Sequence, residues 1–274
     1  MKLLYIPRKK LLQAGAVILV VLACAIYIAV GTAGGAQAAW TQAKKPLPIY
    51  NVQTDEKKVA VTFDAAWGDE QTEGILALLD KYNVKATFFL VGYWVDKYPD
   101  KVKLIYEHGH EIGNHSSTHP HMSGMSSDAI LQEIRTTSAK IQALTGQGTV
   151  NFRPPYGDYD SNLISTSNNA GISVIQWNVD SLDWKDLTGD QMLKRVRDKL
   201  EPGSIILFHN NSKYILDGLE KTLQELQSQG YEAVRVCDLI YTDNYVIDHT
   251  GRQIPVEATP APQESPVLTP APTA

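Results

Sequence analysis

The stretch "VAVTFDAAWGDE", residues 59–70, decides how the chain is read. Val59, Ala60, Val61 and Phe63 form an apolar run rich in β-branched and aromatic residues, with little polar alternation. That is the pattern of a strand covered on both faces, and such strands belong to parallel sheets flanked by helices. The run stops at Asp64, Trp67 and Gly68 supply a turn, and a helical pattern carried by Ile75, Leu78, Leu79 and Tyr82 begins near Glu70. Asp69, just before that pattern, reads as a helix cap. The stretch is therefore one strand–turn–helix unit with a carboxylate at the end of its strand.

Outward from this unit the same rhythm repeats. Candidate strands fall at 58–63, 85–91, 110–113, 149–152, 172–178, 203–208 and 232–236, and stretches between them carry helical spacing, as in Ile130, Ile134, Ile141 and Leu144. Seven βα units over residues 53–243 predict one α/β domain with a parallel sheet, a (β/α)7-type barrel that is closed or nearly so. The alternative is an open doubly wound sheet. No Gly-rich phosphate loop follows the first strand, which argues against its nucleotide-binding form.

The flanks read differently. Residues 1–10 are a basic flank expected in the cytoplasm, and 11–33 are an apolar segment of about the twenty residues needed to cross a bilayer, a predicted transmembrane signal-anchor. Lys2, Arg8, Lys9 and Lys10 precede the span, so the positive-inside rule places the rest of the chain outside the cytoplasm. The expected location is the cell membrane, single-pass, or secreted if cleavage follows Ala36-Gln37-Ala38. Residues 34–52 read as a linker and 244–274 as a disordered Pro-rich tail. A formal charge of −5 provides no basic field and argues against nucleic acid as a partner. Cys24 and Cys237 give no disulfide framework, and no motif points to an obligate protein partner.

In parallel α/β folds the carboxyl ends of the strands carry the chemistry, because their loops converge on one mouth. Polar residues just past an apolar run are therefore the candidates. Asp64 follows the first strand, His115 and His119 the third, Arg153 the fourth, Asp180 and Asp183 the fifth, and His209 the sixth. Two histidines four residues apart can reach one metal ion, and nitrogen donors suit zinc. Pro120 disfavours helix at His119, so the pair lies in a turn. In "RPPYG", residues 153–157, two prolines stiffen the backbone that presents Arg153 and the amide of Tyr156, a candidate oxyanion donor. Asp64 is a candidate base, and His209, with Asp183 to orient it, a candidate acid.

Taken together and in order, "TFDAAWG", "HSSTH", "RPPYG", "DSLDW" and "LFH" resemble the five motifs of the NodB-homology polysaccharide deacetylases, a metal-dependent carbohydrate esterase group. The N-terminal anchor and the spacing of Trp67 from Asp64 most resemble the sporulation-associated PdaB-type branch. The resemblance implies a distorted (β/α) barrel that removes acetyl groups from N-acetylated sugars. It implies Asp64 as general base, Arg153 orienting it, His115 and His119 as metal ligands, His209 as general acid tuned by Asp183, and Trp184 as a wall of the sugar groove. The implied cofactor is a divalent metal, zinc first, with cobalt, manganese or nickel as alternatives. The implied partner is an acetylated cell-wall glycan, the N-acetylglucosamine or N-acetylmuramic acid of peptidoglycan foremost.

One departure stands out. The family's second aspartate, directly after the base, is its third metal ligand, and this chain has Ala65 there. Losing an anionic ligand lowers metal affinity. Asp69 is a candidate substitute ligand, and a catalytically weakened glycan-binding protein is the alternative function.

Overall fold

The computed structural model describes residues 45–256, together with the single residue Leu22. The expected transmembrane span at 11–33, its basic flank, most of the linker and the tail beyond residue 256 lie outside the described residues. Among the described residues no helix is long and apolar enough to cross a membrane.

Among the described residues eleven strands follow one another as β1 Asn51–Val52, β2 Lys58–Ala65, β3 Thr87–Leu90, β4 Glu111–Asn114, β5 Asn151–Phe152, β6 Ser173–Val174, β7 Val179–Asp180, β8 Ile205–His209, β9 Glu232–Val234, β10 Tyr245–Ile247 and β11 Arg252–Pro255. The main sheet is parallel, in the order β6-β5-β4-β3-β2-β8-β7, with β9 added beside the start of β2. The apolar stretch of the sequence is its central strand. Side chains alternate across it: Val59, Val61 and Phe63 enter the layer beneath the helices with Ile75, Leu79, Leu219 and Leu223, while Ala60 joins the inner cluster with Phe89, Ile175 and Ile205. Burying each large side chain is worth about 1.5–3 kcal/mol. Phe63 also stacks on Phe88 with ring centres 4.8 Å apart. The same alternation makes Asp64 the last inward-pointing residue of β2, at its carboxyl end.

The sheet does not close on itself. Of the predicted strand at 172–178 only Ser173–Val174, β6, is a strand, and β7 follows just beyond it; the two form the two ends of the sheet and are joined without a helix. Strands of two residues cannot bridge the gap, so a curled, open sheet replaces the regular seven-unit barrel. Residues 49–52, assigned to a linker by the sequence reading, fill the seam. The Ile49 amide donates to Val174 O at 2.8 Å, the Gln176 amide donates to Ile49 O at 2.7 Å, and the Val52 amide donates to Gly203 O at 2.9 Å.

The expectation of disorder from residue 244 is likewise corrected for 244–256. Strands β10 and β11 form a hairpin, and β11 pairs in parallel with β1. Its turn is held by Asp248, whose Oδ1 accepts from the Thr250 amide at 2.8 Å, while fully buried Gln253 exchanges two bonds with the Tyr241 backbone. These polar side chains order a segment that lacks apolar periodicity.

The cap assigned to Asp69 is also corrected. The helix after β2 runs Thr72–Lys81, its N-cap is Gln71, and no side chain caps it. The turn is closed by backbone instead, the Thr72 amide donating to Asp69 O at 3.0 Å.

Candidate active site

Parallel register brings the sequence-distant candidates to one rim. Asp64 and His209 are paired across adjacent strands β2 and β8, and the Asn210 amide donates to Asp64 O at 3.1 Å. His115 directly follows β4 and Arg153 directly follows β5, two neighbouring strands. A cleft of about 720 Å³ opens there, with Asp64, His115, His119, Tyr156, Trp184 and His209 in its lining. A smaller depression of about 570 Å³, lined by Tyr82, Lys85, Tyr231 and Arg235 among others, contains none of these residues.

Asp64 is buried and paired. Its Oδ1 accepts from Arg153 Nη1 at 2.7 Å, and its Oδ2 lies 3.6 Å from His115 Nε2. Burial alone would raise its pKa, but the charge of Arg153, aided by His115, His209 and the Arg153 hydrogen bond, outweighs this and holds the carboxyl below the usual carboxylate range. Arg153 is fully buried, its guanidinium carbon 4.1 Å from the centre of the Phe89 ring and 5.5 Å from that of Trp177. Its Nη2 donates to Gln176 O at 3.2 Å. One face of the group is thus apolar and its edge polar, which fixes the direction from which it meets Asp64.

His115 Nδ1 lies 2.7 Å from Arg153 O, a contact that requires the proton on Nδ1 and leaves Nε2 as the free lone pair toward the cleft. Burial depresses its basicity, against the opposing charge of Asp64. The His119 ring centre is 5.0 Å from that of His115, and burial, followed by the His115 charge, pushes His119 down to about 4. Both imidazoles are therefore neutral at pH 7. His119 Nδ1 is buried and finds no hydrogen-bond partner among the described residues.

Across the cleft, Asp183 is buried behind His209. Its Oδ2 accepts from the His209 amide at 2.6 Å and its Oδ1 meets the ring Nδ1 at 2.8 Å. Burial works to lower the His209 pKa, but the bond to and charge of Asp183, with Asp64 and Asp180 behind it, raise it overall. A protonated imidazole with Nε2 free can donate a proton. Trp184 is 58% exposed and Tyr156 59% exposed, so both keep ring surface available at the rim.

The backbone around the cleft is unusual. Ser116, His119, Tyr156, Leu182 and Asp186 all adopt left-handed conformations that non-glycine residues rarely occupy. Such conformations persist only where surrounding contacts impose them, and they concentrate at functional sites.

Ala65, at the position of the missing ligand, is fully buried in the apolar layer beneath the helices. Asp69, the candidate substitute ligand, is not among the residues that line the cleft, and its charge acts on Lys97 and Lys101. Among the described residues no group of three or more His, Cys, Asp or Glu side chains is arranged around a common metal position. The donors that are present, two neutral imidazoles with the His115 tautomer fixed, fit a divalent ion of the zinc type. Its remaining positions would fall to water or substrate.

The sequence reading missed two aromatic residues of the cleft. Trp67, 55% exposed, meets His119 edgewise with ring centres 5.1 Å apart, and Trp177 flanks Arg153. Trp177 was hidden inside a predicted strand, and Trp67 inside a turn.

Residues 51–175 match the family model described as polysaccharide deacetylase. A peptidoglycan-N-acetylglucosamine deacetylase of Bacillus cereus is 34% identical over 192 residues, which cover 69% of this chain and 70% of that one. The chain belongs to the polysaccharide deacetylase family. Within that family, a peptidoglycan-N-acetylmuramic acid deacetylase of Bacillus subtilis is 30% identical, the match covering 70% of this chain and 75% of the relative. Among solved structures, a CE4 family pseudoenzyme from Bacillus anthracis superposes with a TM-score of 0.68 at 34% identity, covering 78% of this chain and 74% of the other. A mutant of that pseudoenzyme with restored enzymatic activity matches with the same TM-score of 0.68 at 38% identity, over 72% of each chain. The family thus contains active and inactive members close to this chain.

Proposed function

We propose that this polysaccharide deacetylase removes N-acetyl groups from a cell-wall polysaccharide, peptidoglycan foremost, from a single-pass membrane anchor with its catalytic domain outside the cytoplasm. The observation that carries the reading is the pairing of Asp64 and His209 on adjacent strands, each backed by an opposite charge, Arg153 and Asp183. A carboxyl biased toward its ionised form and an imidazole biased toward its protonated form thus face one cleft.

In the reaction, Asp64 accepts the proton of the water that attacks the acetamide carbonyl, while Arg153 fixes the direction of the carboxylate. The Tyr156 amide donates to the oxygen on which negative charge develops. His209 then protonates the departing amine, which an amide requires because amines are poor leaving groups, and Asp183 keeps that ring charged and oriented. A divalent ion held by His115 and His119, zinc before cobalt, manganese or nickel, would supply Lewis-acid polarisation of the water and carbonyl when bound. Trp184 and Tyr156 offer ring faces to the sugar. The products are acetate and a free amino sugar, of the glucosamine or muramic type.

The test is acetate release from N-acetylated glycan in the presence of zinc or cobalt. Activity that disappears in Asp64→Asn supports the reading. The placement in the membrane rests on the apolar segment 11–33 and its basic flank, and on the likeness to the sporulation-associated branch.

A second reading is favoured by Ala65 and by the similarity to a pseudoenzyme. In it the cleft binds glycan as part of the cell wall with little or no turnover. Glycan binding that survives Asp64→Asn, with no acetate from the wild type under any metal, would select it.

A further inference from the structure

The loop between the two imidazoles is held from outside by a side chain that takes no part in the reaction. Glu133 lies on the helix Ser127–Thr145. Its Oε2 accepts from the amides of Ser117 and Thr118, each at 2.8 Å, and its Oε1 accepts from Thr118 Oγ1 at 2.9 Å. Among the described residues no lysine, arginine or histidine forms an ion pair with this carboxylate. Its polar capacity is turned on the loop.

The same helix face grips the loop at further points. Thr137, one turn beyond Glu133, donates its hydroxyl to Ser116 O at 2.8 Å, and Asn114 Nδ2 donates to Ile134 O at 2.7 Å and to Ser138 Oγ at 2.9 Å. From the other side the Gly92 amide donates to Ser116 O at 2.9 Å. A Cβ on Gly92 would fall 2.6 Å from Thr137 Oγ1 and 3.0 Å from Ser117 Cα, so only glycine permits this approach. The grip opposes a real tendency to relax, because Ser116 at φ 68° and His119 at φ 57° both sit in the left-handed region.

We propose that Glu133 is a positioning residue for divalent-metal binding, fixing the loop so that His115 and His119 stay in reach of one ion. The proposal rests on the metal-dependent reading of this site. A site with two nitrogen donors and Ala65 in place of an anionic ligand depends on pre-organisation, since every freedom of the loop must be lost when the ion binds. Charged acceptors on backbone amides are the stronger class of hydrogen bond, which suits a carboxylate to this task.

The experiment uses the full chain in detergent and zinc as the probe, with affinity read by calorimetry and the fold by circular dichroism. Glu133→Ala should weaken zinc binding by about 10–100-fold while His119→Ala abolishes it. Glu133→Gln retains a carbonyl acceptor for the amides and an NH2 that Thr118 Oγ1 can accept, so it should fall between wild type and Glu133→Ala. If Glu133→Ala does not fold, Glu133→Gln weaker than wild type still supports the proposal, and Gln equal to wild type overturns it. A folded Glu133→Ala with wild-type zinc affinity overturns it as well. Zinc affinity unchanged by His119→Ala would instead remove the metal reading itself, an outcome distinguishable from the other two.

Discussion

Asp183 holds His209 at two points, the backbone amide at 2.6 Å and the ring Nδ1 at 2.8 Å, so one buried carboxylate sets both the position and the charge of the ring. Because the folded-state pKa of His209 is raised, the ring stays protonated further up the pH scale than a free histidine at about 6.5. Its contribution to stability is complete below that unfolded value and is lost as pH rises through the folded one. Activity that needs protonated His209 should fall over the same upper window. In Asp183→Asn the alkaline limb of the pH–rate profile should move to lower pH, and amide substrates should lose more rate than activated esters, whose leaving groups need no proton. A pH–rate series on both substrate types checks this, and an unmoved alkaline limb would remove Asp183 from its tuning role.

Arg153, fully buried, pairs with Asp64, which is buried apart from its edge on the cleft. Removing the cation leaves an uncompensated buried carboxylate, a change that typically costs about 3–5 kcal/mol. Arg153→Ala should lower the melting temperature accordingly and raise the Asp64 pKa, since burial would then be opposed only by the smaller influence of His115 and His209. Asp64 has a depressed folded-state value in the wild type, so its stabilising contribution is present above about pH 4 and is lost as pH falls through that folded value. The acid limb of the pH–rate profile should therefore shift upward in the variant. Arg153→Lys should not restore it, because an ammonium lacks both the planar fork and the stacking on Phe89. Thermal melts and the acid limb are the measurements.

Asp64 and His209 were legible in the sequence because each stands at the end of an apolar strand. Alternation along β2 alone predicts that Asp64 turns inward, and the parallel register then carries His209 beside it. Glu133 was not legible, since one carboxylate on an amphipathic helix looks like a solvated charge until the loop it binds is known. The seam residues 49–52 and the hairpin 245–255 were missed for a related reason: their order comes from long-range backbone pairing and from buried Gln253, which leave no apolar period in the chain. Asp69 shows the converse error, a cap-type residue at a helix start that backbone hydrogen bonding closes without its side chain.

The seam makes its own prediction. Gly203 has φ +80°, and a Cβ there would stand 1.8 Å from Val52 O. Gly203→Ala must displace β1 and add left-handed strain, at a cost of about 2–4 kcal/mol. Residues 46–52 should become sensitive to protease and the denaturation midpoint should drop. Activity per folded molecule should be largely retained, because Gly203 precedes β8 and His209 ends it. A protease-resistant variant with unchanged midpoint would show that the seam contact contributes little.

The position of Ala65 separates the two functional readings most directly. Asp64 and Ala66 line the cleft while Ala65 packs in the apolar layer, so an aspartate at 65 enters a dry environment. A buried carboxyl without a partner costs several kcal/mol or takes up a proton to stay neutral. Ala65→Asp should therefore melt at a lower temperature than wild type when metal is removed by chelation. Zinc should reverse the loss, because an anionic ligand added to two imidazoles tightens the site, and stabilisation by a bound ligand grows with its concentration over Kd. Acetate release per zinc-loaded molecule should rise with it. If zinc leaves the melting temperature of Ala65→Asp unchanged, the side chain at 65 does not reach the ion, and the third protein ligand has no place in this site.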